Sequence, residues 1–185
     1  MGLFRKDDGV SERLKGEAVA LGLCEEWQSQ WLRKTSRDEL ADKFIRGLDF
    51  CIEHDWPSCE FIKREFPEDV RHNHGVYVDE EVRGDVFAAT VVLMGKCSAD
   101  LSFAGYDVRD VYVRHDSVLR LVVGGEAKVF VNVYDTSRLD VRQEGNAKVY
   151  VYRYGGVVSC AGKVAVRERS VRSELETTDN NQKGK

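Results

Sequence analysis

The chain has 185 residues, of which 42% are hydrophobic and 32% charged, and its formal net charge is −4 at pH 7. This length predicts one domain, or one domain with an appendage, and the hydrophobic share is sufficient to bury a core. A disordered or collagen-like chain is therefore excluded. Because the net charge is negative, we do not expect electrostatic attraction of the whole protein to nucleic acid or to an anionic membrane.

The N-terminal residues and the cysteines predict a location. Residues 1–8 lack the apolar segment of a signal peptide, and no stretch of the sequence is apolar over the length that spans a bilayer. The five cysteines are odd in number and widely spaced, which favours free thiols over a disulfide framework. We therefore expect a cytoplasmic protein. Residues 170–185 are polar and predict a disordered tail.

The first part of the chain predicts a helical region over residues 1–74. All three tryptophans and both prolines lie here, and apolar residues recur at helical spacing. Ser36 and Glu39 fit a capping box, and Pro57 and Pro67 delimit the last helix. The expected helices are about 11–33, 36–55 and 57–66.

The second part of the chain is rich in valine, with 22 valines between Val76 and Val166. Valine favours strands, and apolar and polar residues alternate here between Gly, Asp and Asn turns. The segment Gly125-Glu126-Ala127-Lys128-Val129-Phe130-Val131 recurs as Gly145-Asn146-Ala147-Lys148-Val149-Tyr150-Val151. Related copies contain Val111 and Val164, and a second alternating segment lies between successive copies. Units of two short strands at a fixed interval predict a solenoid.

Stacking of these units predicts a buried column of Val111, Val129, Val149 and Val164, with Leu101, Leu121 and Val141 across the coil. We therefore predict an α+β protein in which a helical N-terminal region precedes a short β-solenoid of about four coils over residues 75–169. An antiparallel β-sandwich is the alternative, but it gives no reason for a repeat at a fixed interval.

This alternation of valines over residues 76–169 resembles the short β-solenoid modules of small bacterial proteins, namely bactofilin-like and adhesin-head-like repeats. The resemblance implies a bacterial protein. It also implies head-to-tail polymerisation if the ends of the solenoid are open. If the ends are capped, a monomer or a closed oligomer is expected.

Side chains between the inward valines are expected to form an outward ladder of aromatic and basic residues. Its predicted members are Tyr112, Arg114, Lys128, Phe130, Lys148, Tyr150, Tyr152 and Tyr154. Tyr112, Phe130 and Tyr150 are expected at equivalent heights. The ladder could receive the N-terminal helices, form a protein interface, or bind a glycan or single-stranded nucleic acid.

Cysteine and histidine residues near the middle of the chain are candidate zinc ligands. These candidates are Cys51, His54, Cys59, His72 and His74, but their spacing matches no zinc motif, so we expect no metal site. Gly124-Gly125 and Gly155-Gly156 are expected at coil corners, and Asp116 and Asp135 at the same point of successive coils. No catalytic motif is recognisable, so no catalytic residue and no cofactor are expected.

These observations predict a non-catalytic structural or protein-interaction protein that binds a protein partner or itself. Neither a small-molecule substrate nor nucleic acid is the expected partner. The alternative is a ligand-binding module for a glycan or single-stranded nucleic acid that uses the outward ladder.

Overall fold

A computed structural model of the chain describes residues 9–31 and 35–170. The chain divides into two compact units, residues 1–71 and 72–185. The predicted disordered tail lies, apart from Ser170, outside the described residues.

Short helices occupy the described chain from residue 10 to residue 73. They are α1 (Val10–Ala20), α2 (Glu25–Ser29), α3 (Arg37–Arg46), α4 (Leu48–Glu53), α5 (Cys59–Glu65) and α6 (Glu68–Asn73). The capping box is confirmed, because Ser36 accepts a hydrogen bond from the Glu39 N–H and the Glu39 carboxylate accepts one from the Ser36 N–H. None of the helices in this described part has both the length and the apolar character required to cross a membrane.

Glycines explain why the two longer predicted helices are each divided. Gly22 adopts a φ of +97° just after α1, so the segment expected at 11–33 contains both α1 and α2. Gly47 lies between α3 and α4, with a φ of −106° that is outside the helical range. The N–H of Arg71 donates to the carbonyl of Pro67, so the proline that follows α5 also begins α6.

Eleven strands follow within the described residues, and they form the β-solenoid. They are β1 (Val76–Val78), β2 (Glu81–Arg83), β3 (Thr90–Met94), β4 (Ser98–Phe103), β5 (Val108–Val113), β6 (Val118–Val123), β7 (Lys128–Val133), β8 (Arg138–Gln143), β9 (Lys148–Arg153), β10 (Val157–Ala161) and β11 (Val164–Glu168).

The strands form two sheets, in the orders β1-β3-β5-β7-β9-β11 and β10-β8-β6-β4-β2. Every strand pair is parallel. An antiparallel sandwich is therefore excluded, and the α+β architecture with a solenoid of about four coils is confirmed. We call the two sheets sheet A and sheet B in the order given.

In the central coils, paired residues are 20 positions apart in the sequence. This interval corrects one position in the predicted valine column. Val111 pairs with Val131, whereas the residue paired with Val129 is Arg109. The predicted position of Val111 above Val129 is wrong by two residues, because these valines are 18 positions apart in the sequence whereas paired residues are 20 apart. The column of Leu101, Leu121 and Val141 is confirmed.

Each corner of the solenoid contains a residue with positive φ. Gly125 and Gly156 adopt φ values of 64° and 70°, which confirms their predicted corner positions. In the row of corners that contains Gly156, His115 and Asp135 are equivalent, with φ values of 57° and 56°. The predicted equivalence of Asp116 and Asp135 is therefore wrong by one residue. The Asp135 carboxylate accepts a hydrogen bond of 2.8 Å from the His115 N–H of the preceding coil.

Two equivalent glycines test how closely the corners approach one another. We expect Gly125→Ala to destabilise the solenoid more than Gly145→Ala. Both residues have positive φ, which costs about 1–2 kcal/mol for alanine. A Cβ at Gly125 would also lie 2.8 Å from the Gly105 nitrogen, whereas one at Gly145 would lie 3.6 Å from the Gly125 nitrogen. Urea unfolding followed by circular dichroism measures the difference, and equal losses of stability would contradict the close approach.

Candidate interaction face

The outward side chains of the last three strands of sheet A form one continuous surface. We call it the basic aromatic face. Its rows follow the pairing of β7 with β9 and of β9 with β11. Its members, including residues at the strand ends, are Lys128, Phe130, Asn132, Tyr134, Lys148, Tyr150, Tyr152, Tyr154, Lys163, Ala165, Arg167 and Arg169.

Aromatic rings on this face stack along the solenoid axis. The rings of Phe130 and Tyr150 are nearly parallel, with centroids 5.3 Å apart. Tyr134 and Tyr154 stack at 4.5 Å. Stacking directs the faces of these rings towards each other, so one face of each ring is in contact with the ring of the neighbouring coil. The alignment follows from the register, which places equivalent side chains on adjacent strands about 4.8 Å apart.

Cations on the face are exposed and aligned. Lys128 of β7 pairs with Lys148 of β9. Val164 pairs with Val149, so Lys163, directly before Val164, lies beside Lys148. The three lysines therefore form one row. The Lys128 ammonium lies 5.0 Å from the Phe130 ring centroid. The face thus has a row of like charges at its edge.

Carboxylates are scarce beside these cations. Among the residues of β7, β9 and β11, the only acidic side chain is Glu168, and it pairs with Arg153 at 3.0 Å. Within the described residues, Lys128, Lys148 and Lys163 have no ion-pair partner. At the neighbouring strand β5, Asp110 borders Phe130, and burial raises the pKa of its carboxyl group.

Charges on the outer face of sheet B alternate instead. Asp100, Arg120 and Asp140 occupy one row of successive strands, and Arg120 contacts Asp100 at 3.3 Å. Opposite charges therefore lie next to each other on sheet B, whereas the lysines of sheet A lie next to one another without adjacent carboxylates. This contrast distinguishes the basic aromatic face as the candidate functional site.

Two predicted ladder residues occupy different surroundings from the rest. Tyr112 pairs with Asn132, not with Phe130, so its expected equivalence to Phe130 and Tyr150 is wrong by two residues. Arg114 is 3% exposed, and its guanidinium lies 3.9 Å from the Asp135 carboxylate. The other predicted residues, from Lys128 to Tyr154, lie together on β7, on β9 and at the end of β9.

Sequence reasoning missed Lys163, Arg167 and Arg169. The last coil is shorter than the others, because Val164 pairs with Val149 at a separation of 15 residues, whereas Val149 pairs with Val129 at 20. The predicted position of Val164 above Val149 is confirmed, so only the outward neighbours of Val164 are missing from the predicted ladder. The Val-Ala-Val pattern of the degenerate copy was the available signal.

Of the candidate zinc ligands, His72 lies in a group with Glu68 and Glu80, whose ligand atoms are all within 4.8 Å of one another. Among the described residues, Cys51, His54, Cys59 and His74 belong to no group of three ligand atoms within 4.8 Å of one another. Cys51 is buried in α4 with the apolar core. The His72 ring lies 2.8 Å from the Glu80 carboxylate and 4.7 Å, between centroids, from the Tyr77 ring.

The helical unit contains a cleft of about 400 Å³ that the sequence did not indicate. One of its three acidic residues, Glu17, accepts hydrogen bonds from the Trp56 indole at 3.0 Å and from Arg13 at 2.9 Å. These bonds, with that of Trp56 first, lower the pKa of the Glu17 carboxyl group. The carboxylate is thus engaged in contacts that join α1 to the turn before α5.

Comparison of the chain with protein-family models, with curated proteins and with solved structures finds no match. The structure shows a parallel β-solenoid, and the bactofilin-like or adhesin-head-like identity stays a prediction.

The lysine row predicts a gain of stability when it is interrupted. We expect Lys148→Glu to stabilise the solenoid by about 0.2–1 kcal/mol at low salt, because like charges on adjacent strands repel and opposite charges attract. The gain should shrink at high salt. Arg142→Glu on sheet B is the matched control, and it should destabilise because Arg142 lies 3.8 Å from Glu144. Urea unfolding at two salt concentrations tests both, and a loss of stability in Lys148→Glu would refute the repulsion.

Proposed function

We propose that this chain is a non-catalytic interaction protein whose β-solenoid displays the basic aromatic face to an acidic segment of a protein partner. The observation that carries the proposal is the uncompensated lysine row beside stacked rings on sheet A. Like charges in register cost stability, so their alignment is expected where a ligand of opposite charge neutralises them. Tyrosine and arginine, both present here, are typical anchors of protein interfaces.

The orientation of the rings favours a protein partner over single-stranded nucleic acid. Nucleic-acid platforms stack bases on open ring faces. Here Phe130 stacks on Tyr150 and Tyr134 stacks on Tyr154, so these rings already contact each other face to face. Tyr150 also carries a hydroxyl group, which is a hydrogen-bond donor for carboxylates. The net charge of −4 also opposes a long polyanion, whereas a short acidic segment experiences mainly the local row.

The cytoplasm is the compartment that we propose for this interaction. All five cysteines are free thiols, and Cys24 and Cys160 are exposed. Exposed free thiols are compatible with a reducing compartment.

Binding of an acidic peptide tests the proposal directly. The probe is a fluorescent peptide of alternating glutamate and glycine, and its anisotropy is measured at low salt against the wild-type chain. The test variant replaces Lys128, Lys148 and Lys163 with Gln. The control replaces Arg120, Arg138 and Arg142 of sheet B with Gln, so both variants lose three positive charges. We expect the lysine variant to bind at least tenfold more weakly and the arginine variant to bind as the wild type does.

Other outcomes would reject the proposal in different ways. Equal weakening in both variants would mean that only overall charge matters. Absence of peptide binding at low salt would remove the acidic protein partner. Tighter binding of an oligothymidylate of the same charge would assign the face to single-stranded nucleic acid instead.

A further inference from the structure

The solenoid ends at β10 and β11 with its core exposed. Each of these strands pairs with one neighbour only, β8 and β9 respectively. The inward columns finish at Val158, Cys160, Val164 and Val166, of which Val166 is 43% exposed and Cys160 is also exposed. We call this surface the open end. Among the described residues, nothing pairs with the outer edge of either strand.

The edge of β10 lacks the features that usually protect an exposed strand. Natural edge strands carry charges, proline or bulges that prevent pairing with another chain. β10 has the sequence Val-Val-Ser-Cys-Ala, without a charge or a proline, and Val157 is 60% exposed. At the opposite end of sheet B, β2 carries Glu81 and Arg83. In sheet B, the uncharged edge is therefore confined to the open end.

We propose that the open end binds the open end of a second copy of this chain, in a two-fold symmetric dimer. Two unpaired edges lie side by side here, one from each sheet. A single peptide strand can pair with only one of them. A second copy presents the same two edges together, so it can pair with both at once and continue the core. A two-fold axis between two ends makes each strand pairing antiparallel.

The charges on β11 select which edges pair. Residues opposite each other in an antiparallel pair lie on the same face. Pairing β11 with itself would bring Lys163 and Arg167 of one copy next to the same cations of the other. Pairing β10 with β11 of the second copy avoids this repulsion, because β10 has no charge. Both β10–β11 contacts then form by symmetry.

The inward side chains define the register of this crossed pairing. Val158 opposes Val166 of the second copy, and Cys160 opposes Val164 of the second copy. On the outside, Ser159 then opposes Ala165 of the second copy. All apolar inward residues of the open end are covered in this register.

The alternative is that residues 171–185 of the same chain cover the open end. This sequence contains two large apolar residues, Val171 and Leu175, among polar ones, which is too few to cover four inward side chains. The open end is also small, since a five-residue strand is only about 17 Å long. Stable complexes bury about 800 Å² per partner, so we expect a weak, concentration-dependent dimer.

The mass of the full chain by size exclusion with light scattering, over a range of concentrations, tests the dimer. We expect a shift from monomer towards dimer as the concentration rises. Ser159→Lys should raise the dissociation constant at least tenfold, because the new ammonium lies diagonally opposite Lys163 and Arg167 of the second copy. Within its own chain the new lysine lies beside Asp140, which favours folding. Ser102→Lys is the matched control on the same sheet, away from the open end, and should dimerise as the wild type does.

Disulfide cross-linking tests the register. Ser159 and Ala165 lie on the outer faces of different sheets, so cysteines at these positions of one chain are on opposite sides of the solenoid. The double variant Ser159→Cys/Ala165→Cys should give a disulfide-linked dimer on oxidation, seen on a non-reducing gel, and each single variant should give much less.

A wild-type chain that stays monomeric at its solubility limit would overturn the proposal. A mass that increases beyond the dimer would replace it with head-to-tail or multiple stacking. A dimer that Ser159→Lys leaves unchanged would mean that another surface associates. These readouts do not depend on the acidic peptide, so failure of the basic aromatic face and failure of the open end are distinguishable.

Discussion

Parallel pairing at a register of 20 residues is the constraint on which the solenoid depends. Each inward valine or leucine is buried only because an equivalent side chain lies on it in the next coil, as Val111 lies on Val131. A slip of one residue would expose a whole column, so the hydrophobic effect selects the register strongly. The corners support the same interval, since the Ser117 hydroxyl accepts a hydrogen bond from the Cys97 N–H, 20 residues earlier.

The same register aligns the outward side chains, whatever their chemistry. Aromatic rings aligned in this way stabilise the fold by stacking, as Phe130 and Tyr150 do. Aligned lysines such as Lys128 and Lys148 repel each other. Sheet B shows that the repeat accommodates opposite charges in one row, with Arg120 between Asp100 and Asp140. The alignment of cations on sheet A is thus a property of its residues and not a consequence of the fold. This is why we place the proposed interaction on that face.

The solenoid ends at a coil that differs from the central ones. The turn between β10 and β11 is short, and the inward residues of both strands remain partly or largely exposed. β11 belongs to two surfaces, because its outward residues extend the basic aromatic face and its edge belongs to the open end. Arg167 would therefore contribute charge to the proposed binding of an acidic segment and to the choice of strand pairing in the proposed dimer.

The sequence by itself determined the helical and solenoid regions, the inward valines and most of the aromatic ladder. These features follow from local periodicity and from a repeat that is visible in the residues. The tertiary structure decided the register of Val111 and Tyr112, the burial of Arg114 and the addition of Lys163 to the lysine row. Each of these depends on which residues pair across strands, and variable turn lengths change that pairing without changing the alternation within a strand. Sequence periodicity therefore identifies the faces of each strand, whereas only the stacked coils determine which side chains meet.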